Sequence, residues 1–263
     1  MTVTVALLIL WHVRNVLVTT ESFRDHPALD VAVSHAVLQA VAAGEIESVF
    51  RLHVPQRVLA FGMADRIQAG YPQAVQVARA NGFAPVERLA GGRAAVFHEQ
   101  TLAFSWATPE EDARTGIKER FMRVSGMLCD AFKALKIDAR IGEIPGEYCP
   151  GEYSINVGGK VKVMGVGQRL VKGAAHIGGV IVVDGSSLIR DVLIPVYRAL
   201  GVDWDPRTAG ALADRSAGTH VDDVVEAVLD QLAVLAETRS GSLPSEIVAT
   251  AAGLADGHLP SAA

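Results

Sequence analysis

Residues 154–183 read SINVGGKVKVMGVGQRLVKGAAHIGGVIVV. Small and β-branched residues alternate with polar ones through SINVGGKVKVMGVGQ and again through HIGGVIVV, the period-two signature of strands with one face buried. Working outward, the preceding loop IGEIPGEYCPGEY (141–153) is punctuated by Gly and Pro. Before it, Thr115–Leu135 carries Ile117, Phe121, Val124, Leu128 and Leu135 on one helical stripe, with Cys129 beside it. Downstream, Ser186–Leu200 and Val221–Leu235 repeat their apolar residues at helical spacing. Upstream, Asp25 and Pro27 open a helix that Gly44 ends, VFRLHVPQRVLAFG (49–62) reads as two strands joined at Pro55, and QAVQVARANGF (73–83) as a helix closed by Asn81-Gly82. A strand, APVERLA (84–90), leads into Gly91-Gly92. RAAVFHEQTLAFSWA (93–107) has β-favouring runs on both sides of a polar tip at His98–Gln100 and reads as a β-hairpin. Strands in groups with helices between them define an α+β (mixed α/β) fold, with mixed and antiparallel sheets flanked by helices. One domain over 1–237 and a weakly ordered tail, 238–263, rich in Ala, Ser and Gly, account for the chain.

The composition bounds the function. In 263 residues there are 24 Lys and Arg against 29 Asp and Glu, a net charge of -5 with half the residues hydrophobic, so no general field attracts nucleic acid. The apolar start MTVTVALLILWHV lacks a basic region before it, is broken by His12, Arg14 and Asn15 and is too short to span a bilayer. It reads as one or two buried strands, or as a start codon placed too early, and the expected compartment is cytoplasmic, with no membrane partner. Cys129 and Cys149 form no C-x-x-C pair. No spacing of His, Cys and acids matches a metal site, and neither a P-loop nor a dinucleotide fingerprint occurs.

Four segments carry chemistry: RLAGGRAAVFHE (88–99), CPGEY (149–153), GGKVKVMGVGQR (158–169) and DWDPRTAG (203–210). Gly91-Gly92 permits positive φ or close approach of a ligand to the backbone, and Arg88 suits a carboxyl or phosphate, although a glycine pair alone is usually only a turn. Strand alternation puts Lys160, Lys162 and Met164 on one face and Val161, Val163 and Gly165 on the other, and a lysine so placed is ordinarily solvated. Cys129, beside a helix stripe, reads as a small hydrophobe; Cys149, in a Gly/Pro loop among polar residues, has no packing reason to be a thiol. His12, His26, His35, His53 and His220 read as structural.

In order and spacing the four segments resemble the lipoate and octanoate protein ligase/transferase superfamily, which shares its catalytic fold with biotin protein ligase, over Asp25–Leu235. The first is similar to the superfamily's Arg-Arg-x-Ser-Gly-Gly-Gly-Ala-Val-x-His-Asp signature at Arg88, Gly91, Gly92, Ala95, Val96, Phe97, His98 and Glu99. It departs at Arg93 and Ala94, where ligases carry glycines that let the backbone lie against an adenylate. The third places the superfamily lysine, which contacts the acyl carbonyl, at Lys162, followed by Gly165, Gly167, Gln168 and Arg169. His176 lies near the superfamily's His-Gly turn. CPGEY looks like the cysteine-dependent amidotransferase branch, which moves an octanoyl or lipoyl group from the glycine cleavage H protein to E2 subunits of 2-oxoacid dehydrogenases.

The resemblance therefore implies an octanoyl/lipoyl transferase with Cys149 and Lys162 catalytic, the ammonium both lowering the thiol pKa and holding the oxyanion. It implies substrate contacts from Arg88, Gly91, Gly92, Val96, Phe97, His98, Gly165, Gly167, Gln168 and His176, and a tunnel walled by Val96, Phe97, Phe104 and Met164. No cofactor or metal is required. The partners implied are lipoyl-domain proteins, with acyl carrier protein as another donor. The alternatives are an ATP-dependent lipoate ligase whose accessory domain is another chain, and a non-catalytic homologue that only binds an acyl group or a lipoyl domain.

Overall fold

The computed structural model describes residues 13–261; of the one or two strands expected in the first twenty residues, the part at 1–12 lies outside them. In chain order the elements are β1 (Val13–Thr19), α1 (Leu29–Ala43), β2 (Ser48–His53), β3 (Val58–Phe61), α2 (Met63–Arg66), α3 (Tyr71–Ala80), β4 (Ala84–Glu87), β5 (Ala95–Phe97), β6 (Thr101–Glu110) and α4 (Ile117–Ala134). There follow β7 (Ala139–Ile141), β8 (Ile155–Val157), β9 (Val161–Val171), β10 (Gly173–Val182), α5 (Ser186–Leu200), α6 (Val221–Leu235), β11 (Ala236–Ser240) and α7 (Ser245–Leu254). No helix among the described residues is long and apolar enough to cross a membrane.

An eight-stranded sheet runs β11-β1-β2-β6-β10-β9-β8-β7 and a three-stranded sheet runs β4-β3-β5. The large sheet is parallel at β11-β1-β2 and antiparallel from β2 onward. α1 buries Ala32, Val33, Val37 and Val41 against Leu17, Val49, Ala107 and Ala174. Val124, Leu128 and Phe132 of α4, with Val224, Val228 and Leu232 of α6, pack against Phe50, Phe104, Trp106 and Val163 in a second cluster. The small sheet packs Leu59, Phe61 and Val96 on Ala74 and Ala78 of α3 and on Ile189, Leu193 and Val196 of α5. The long helices thus hide apolar stripes and the sheets their apolar faces, the arrangement that the mixed α/β reading requires.

Two expectations of the fold change. The segment 93–107 is not a hairpin: β5 pairs with β3 in the small sheet and β6 with β2 and β10 in the large one. Its polar tip carries the chain from one sheet to the other, with Thr101 Oγ1 donating to His98 O and accepting from His98 N–H. Alternation identifies a strand but not its partner. β2 and β3, on either side of Pro55, divide between the sheets in the same way. The stretch after Thr238 is not a loose tail, because β11 pairs in parallel with β1 and α7 sets Ile247 and Ala251 against α1. Its weak helical pattern leaves only these two residues of α7 buried.

Candidate active site

The four sequence segments converge. Cys149, on the β7–β8 loop, lies half-buried in a left-handed conformation at φ +45°, which costs a non-glycine residue about 1–3 kcal/mol. Its backbone is held from beneath by Lys162. The Lys162 Nζ donates to Cys149 O at 2.6 Å, to Tyr148 O at 3.1 Å and to Glu147 Oε1 at 2.8 Å. Glu147 also accepts from Ser154 Oγ at 3.0 Å and from Ile144 N–H at 3.0 Å, closing the loop on itself. Lys162 and Glu147 are both buried, with side-chain exposures of 1% and 0%. The DWDPRTAG segment braces the same loop: Asp205 N–H donates to Gly146 O at 2.8 Å, Gly210 N–H donates to Lys162 O at 3.1 Å, and the Trp204 and Tyr148 rings meet edge to face.

Lys162 is therefore neither solvated nor free. An ammonium has three protons and all three are engaged within the loop. The register of β8 on β9 steps from Asn156↔Lys162 to Ile155↔Met164, a bulge at Val163. It breaks the simple alternation, so Met164 turns into the core while Lys162 lies beside Gly165, whose added Cβ would stand 3.5 Å from Lys162 Cε.

The groups that face the sulfur are different ones. Arg93 N–H donates to Cys149 Sγ at 3.1 Å and Arg88 Nη2 lies 3.6 Å from it. Burial on its own pushes the Cys149 thiol up, but Arg88, then Lys162, then the Arg93 N–H outweigh it and hold the thiol below its ordinary value. Gly92 sits at φ +106°, and a Cβ there would strike the Arg88 guanidinium and stand 3.0 Å from the sulfur. Glycine is thus needed at 92 for both conformation and space. Asp65, fully buried, accepts Gly62 N–H at 2.9 Å and lies 3.5 Å from Arg93 Nη1, tying α2 to the Gly-Gly turn.

Cys149, Arg88, Gly91 and Gly92 open on a cleft of about 510 Å³ whose other walls include Phe121, Tyr153, Gly165, Gly167 and Gln168. Phe121 stacks on Tyr153 at 4.8 Å, and Gln168 bonds Arg120 and Ile117 O of α4. The bare face of Gly167 is covered by Ala90 and Gly91 O. A second, smaller cavity of about 110 Å³ adjoins it, sharing Arg88, Phe97 and Gly179 as common walls, and contains Phe104 and His176. Of the expected wall residues, Phe97 and Phe104 line this slot. Val96 and Met164 do not: both are buried in core clusters on the far side of their strands. His98 is wholly buried, accepts Gln100 N–H at 3.2 Å and lines neither cavity.

Sequence reasoning missed the Arg93 N–H, Glu147 and Asp65. Arg93 stood out only as a departure from a glycine pattern, whereas its backbone is what acts. Glu147 lies two residues from Cys149, and a carboxylate that close to a buried lysine's target loop was the available signal.

Sheet order and helix placement define the class. The fold is that of lipoate protein ligases: lipoate-protein ligase A bound with ATP superimposes with a TM-score of 0.75 at 17% identity, covering 93% of this chain and 94% of that one. The bi-partite lipoate protein ligase of Thermoplasma acidophilum does so with 0.70 at 17%, covering 93% of both. The chain belongs to the family described as the lipoyl protein ligase A/B catalytic domain, which it matches over residues 26–233. Its relatives include the octanoyl-GcvH:protein N-octanoyltransferase of Geobacillus kaustophilus, 31% identical over 170 residues, 65% of this chain and 60% of that protein's length. The lipoyl-GcvH:protein N-lipoyltransferase of Listeria monocytogenes is 24% identical over 203 residues, 72% of this chain and 73% of that one.

Proposed function

We propose that the protein is an octanoyl/lipoyl transferase that moves an acyl group from a carrier protein to the lysine of a lipoyl domain through a Cys149 thioester, without ATP. The observation that carries this reading is one half-buried thiol in the wall of a wide cleft, held below its ordinary pKa by Arg88, Lys162 and the Arg93 N–H, where Arg88 is also a wall of the adjoining, mostly apolar slot. The transferase names of the relatives support it.

In the first step the Cys149 thiolate attacks the acyl carbonyl of the donor's amide. The C–N bond breaks, and the donor lysine amine leaves carrying one proton taken up from solvent in the cleft. In the second, an acceptor lysine amine attacks the thioester, the C–S bond breaks, the thiolate is restored and that proton is released. The Arg93 N–H and Arg88, which face the sulfur, are placed to meet the developing oxyanion. Lys162 acts at one remove by holding the strained Cys149 backbone. The glycine cleavage H protein is the proposed donor, with acyl carrier protein an alternative, and E2 lipoyl domains are the proposed acceptors. A reducing compartment such as the cytoplasm keeps Cys149 a thiol.

Incubating the protein with octanoyl-H protein in the absence of ATP and measuring its intact mass tests the proposal. An octanoyl adduct that vanishes in Cys149→Ser is expected. Lipoylation that needs ATP and is indifferent to Cys149→Ser would replace this reading with the ligase.

A further inference from the structure

The slot beside Arg88 has a polar floor that an acyl tail of plain hydrocarbon cannot satisfy. Its walls are apolar at Val58, Phe97 and Phe104, but His53 and His176 close it, 6% and 5% exposed, and all four of their ring nitrogens lack a hydrogen-bond partner. Asp30 lines the same floor and its Oδ2 is also unpartnered. His53 Nε2 lies 3.3 Å from Asp30 Oδ1 without forming a hydrogen bond. Gly178 keeps the space open, since a Cβ there would stand 3.0 Å from His176 Cε1.

The charge balance indicates what belongs there. Asp30 is neutralised by Arg51, whose Nη2 donates to Asp30 Oδ1 at 2.8 Å. Burial first, then the charge of Arg51, holds both histidines well below their ordinary pKa, so they are neutral. A neutral imidazole has one donor and one acceptor nitrogen, so the floor offers two of each with no net charge. Buried polar groups left dry are costly. At the floor a charged terminus has no free counterion to meet, since Arg51 is paired with Asp30 and Arg88 stands at the wall shared with the cleft, and a methyl terminus leaves these groups unsatisfied.

We propose that this floor makes the site selective for medium-chain acyl groups that carry an uncharged hydrogen-bonding heteroatom at the far end, a dithiolane or a hydroxyl, over the plain chain of the same length. His53 and His176 are the specificity-determining residues. The proposal rests on the slot holding the acyl tail of the transfer reaction above, and its ranking can also be read without transfer.

Two readouts separate the readings. The first is the rate of Cys149 acylation by H protein chemically charged with octanoyl, lipoyl or 8-hydroxyoctanoyl groups. The second is calorimetric binding of the three free acids. In the wild type the lipoyl and 8-hydroxyoctanoyl forms should each be favoured over octanoyl by about tenfold, the worth of one or two buried groups satisfied rather than left dry. His53→Leu should bring the ratio to one or invert it, whereas His53→Gln, which keeps a donor and an acceptor, should retain most of it. A wild type that prefers octanoyl in both readouts overturns the proposal, as does a ratio unmoved in a folded His53→Leu protein. If no acyl-enzyme forms yet the free acids rank as stated, the floor stands and the transfer reading falls. If no acid binds, the floor falls too.

Discussion

Replacing Arg88 with glutamine removes the only side-chain cation within 4 Å of the Cys149 sulfur among the described contacts, while leaving a side chain of similar reach. At a separation of 3.6 Å, opposite unit charges attract by about 1 kcal/mol at the dielectric of water and about 5 kcal/mol at an effective dielectric of 20. The wall of a solvent-open cleft lies between those limits, so losing Arg88 should raise the thiol pKa by about 1–3 pH units at 1.36 kcal/mol each. Lys162 and the Arg93 N–H remain and leave part of the depression in place. The assay is the rate of iodoacetamide alkylation of Cys149 against pH, with Cys129 as the internal reference: it is buried, its Sγ donates to Ala139 O, and burial raises its pKa. Alkylation at pH 7 should slow about tenfold or more in Arg88→Gln, with the whole profile displaced to alkaline pH, and Arg88→Lys should recover part of the loss. Superimposable profiles for wild type and Arg88→Gln would refute the assignment of Arg88 as the group that depresses the thiol pKa.

Three other outcomes are expected. Lys162→Met should lower stability by about 3–5 kcal/mol in urea unfolding, because it strands the buried Glu147 carboxylate, and adding Glu147→Leu should restore part of that loss. Gly92→Ala should abolish acylation while costing only about 1–3 kcal/mol of stability, the size of a strained φ at one residue, with circular dichroism unchanged. His176 is held at about 4 by burial, ahead of Arg51, so the unfolded chain takes up its proton first. Its contribution is therefore intact above pH 6.5 and is lost as pH falls toward 4, by about 3 kcal/mol, and His176→Gln should flatten that acid limb in unfolding measured between pH 7 and 4.

Particular residues explain what could be read in advance. Periodicity finds the helices, because a stripe such as Val124, Leu128 and Phe132 must be buried against something. The loop cysteine stands out because its Gly, Pro and polar neighbours show no apolar periodicity that would account for a thiol. What escapes is pairing: β5 and β6 look like one hairpin because nothing local records that Thr101 and His98 turn the chain between sheets. The bulge at Val163 escapes for the same reason, and with it the burial of Lys162. Backbone donors are invisible to residue typing, so Arg93 reads as a defect when its N–H is the contact. His53 reads as structural because its orphaned nitrogens become evident only when β2, β10 and α1 meet around one cavity.

The most direct trial of the account isolates the octanoylated protein, removes the donor, and adds an E2 lipoyl domain without ATP or any other nucleotide. Octanoyl should pass from Cys149 to the acceptor lysine at least as fast as the overall reaction turns over. An adduct that persists while turnover continues would place Cys149 outside the reaction path.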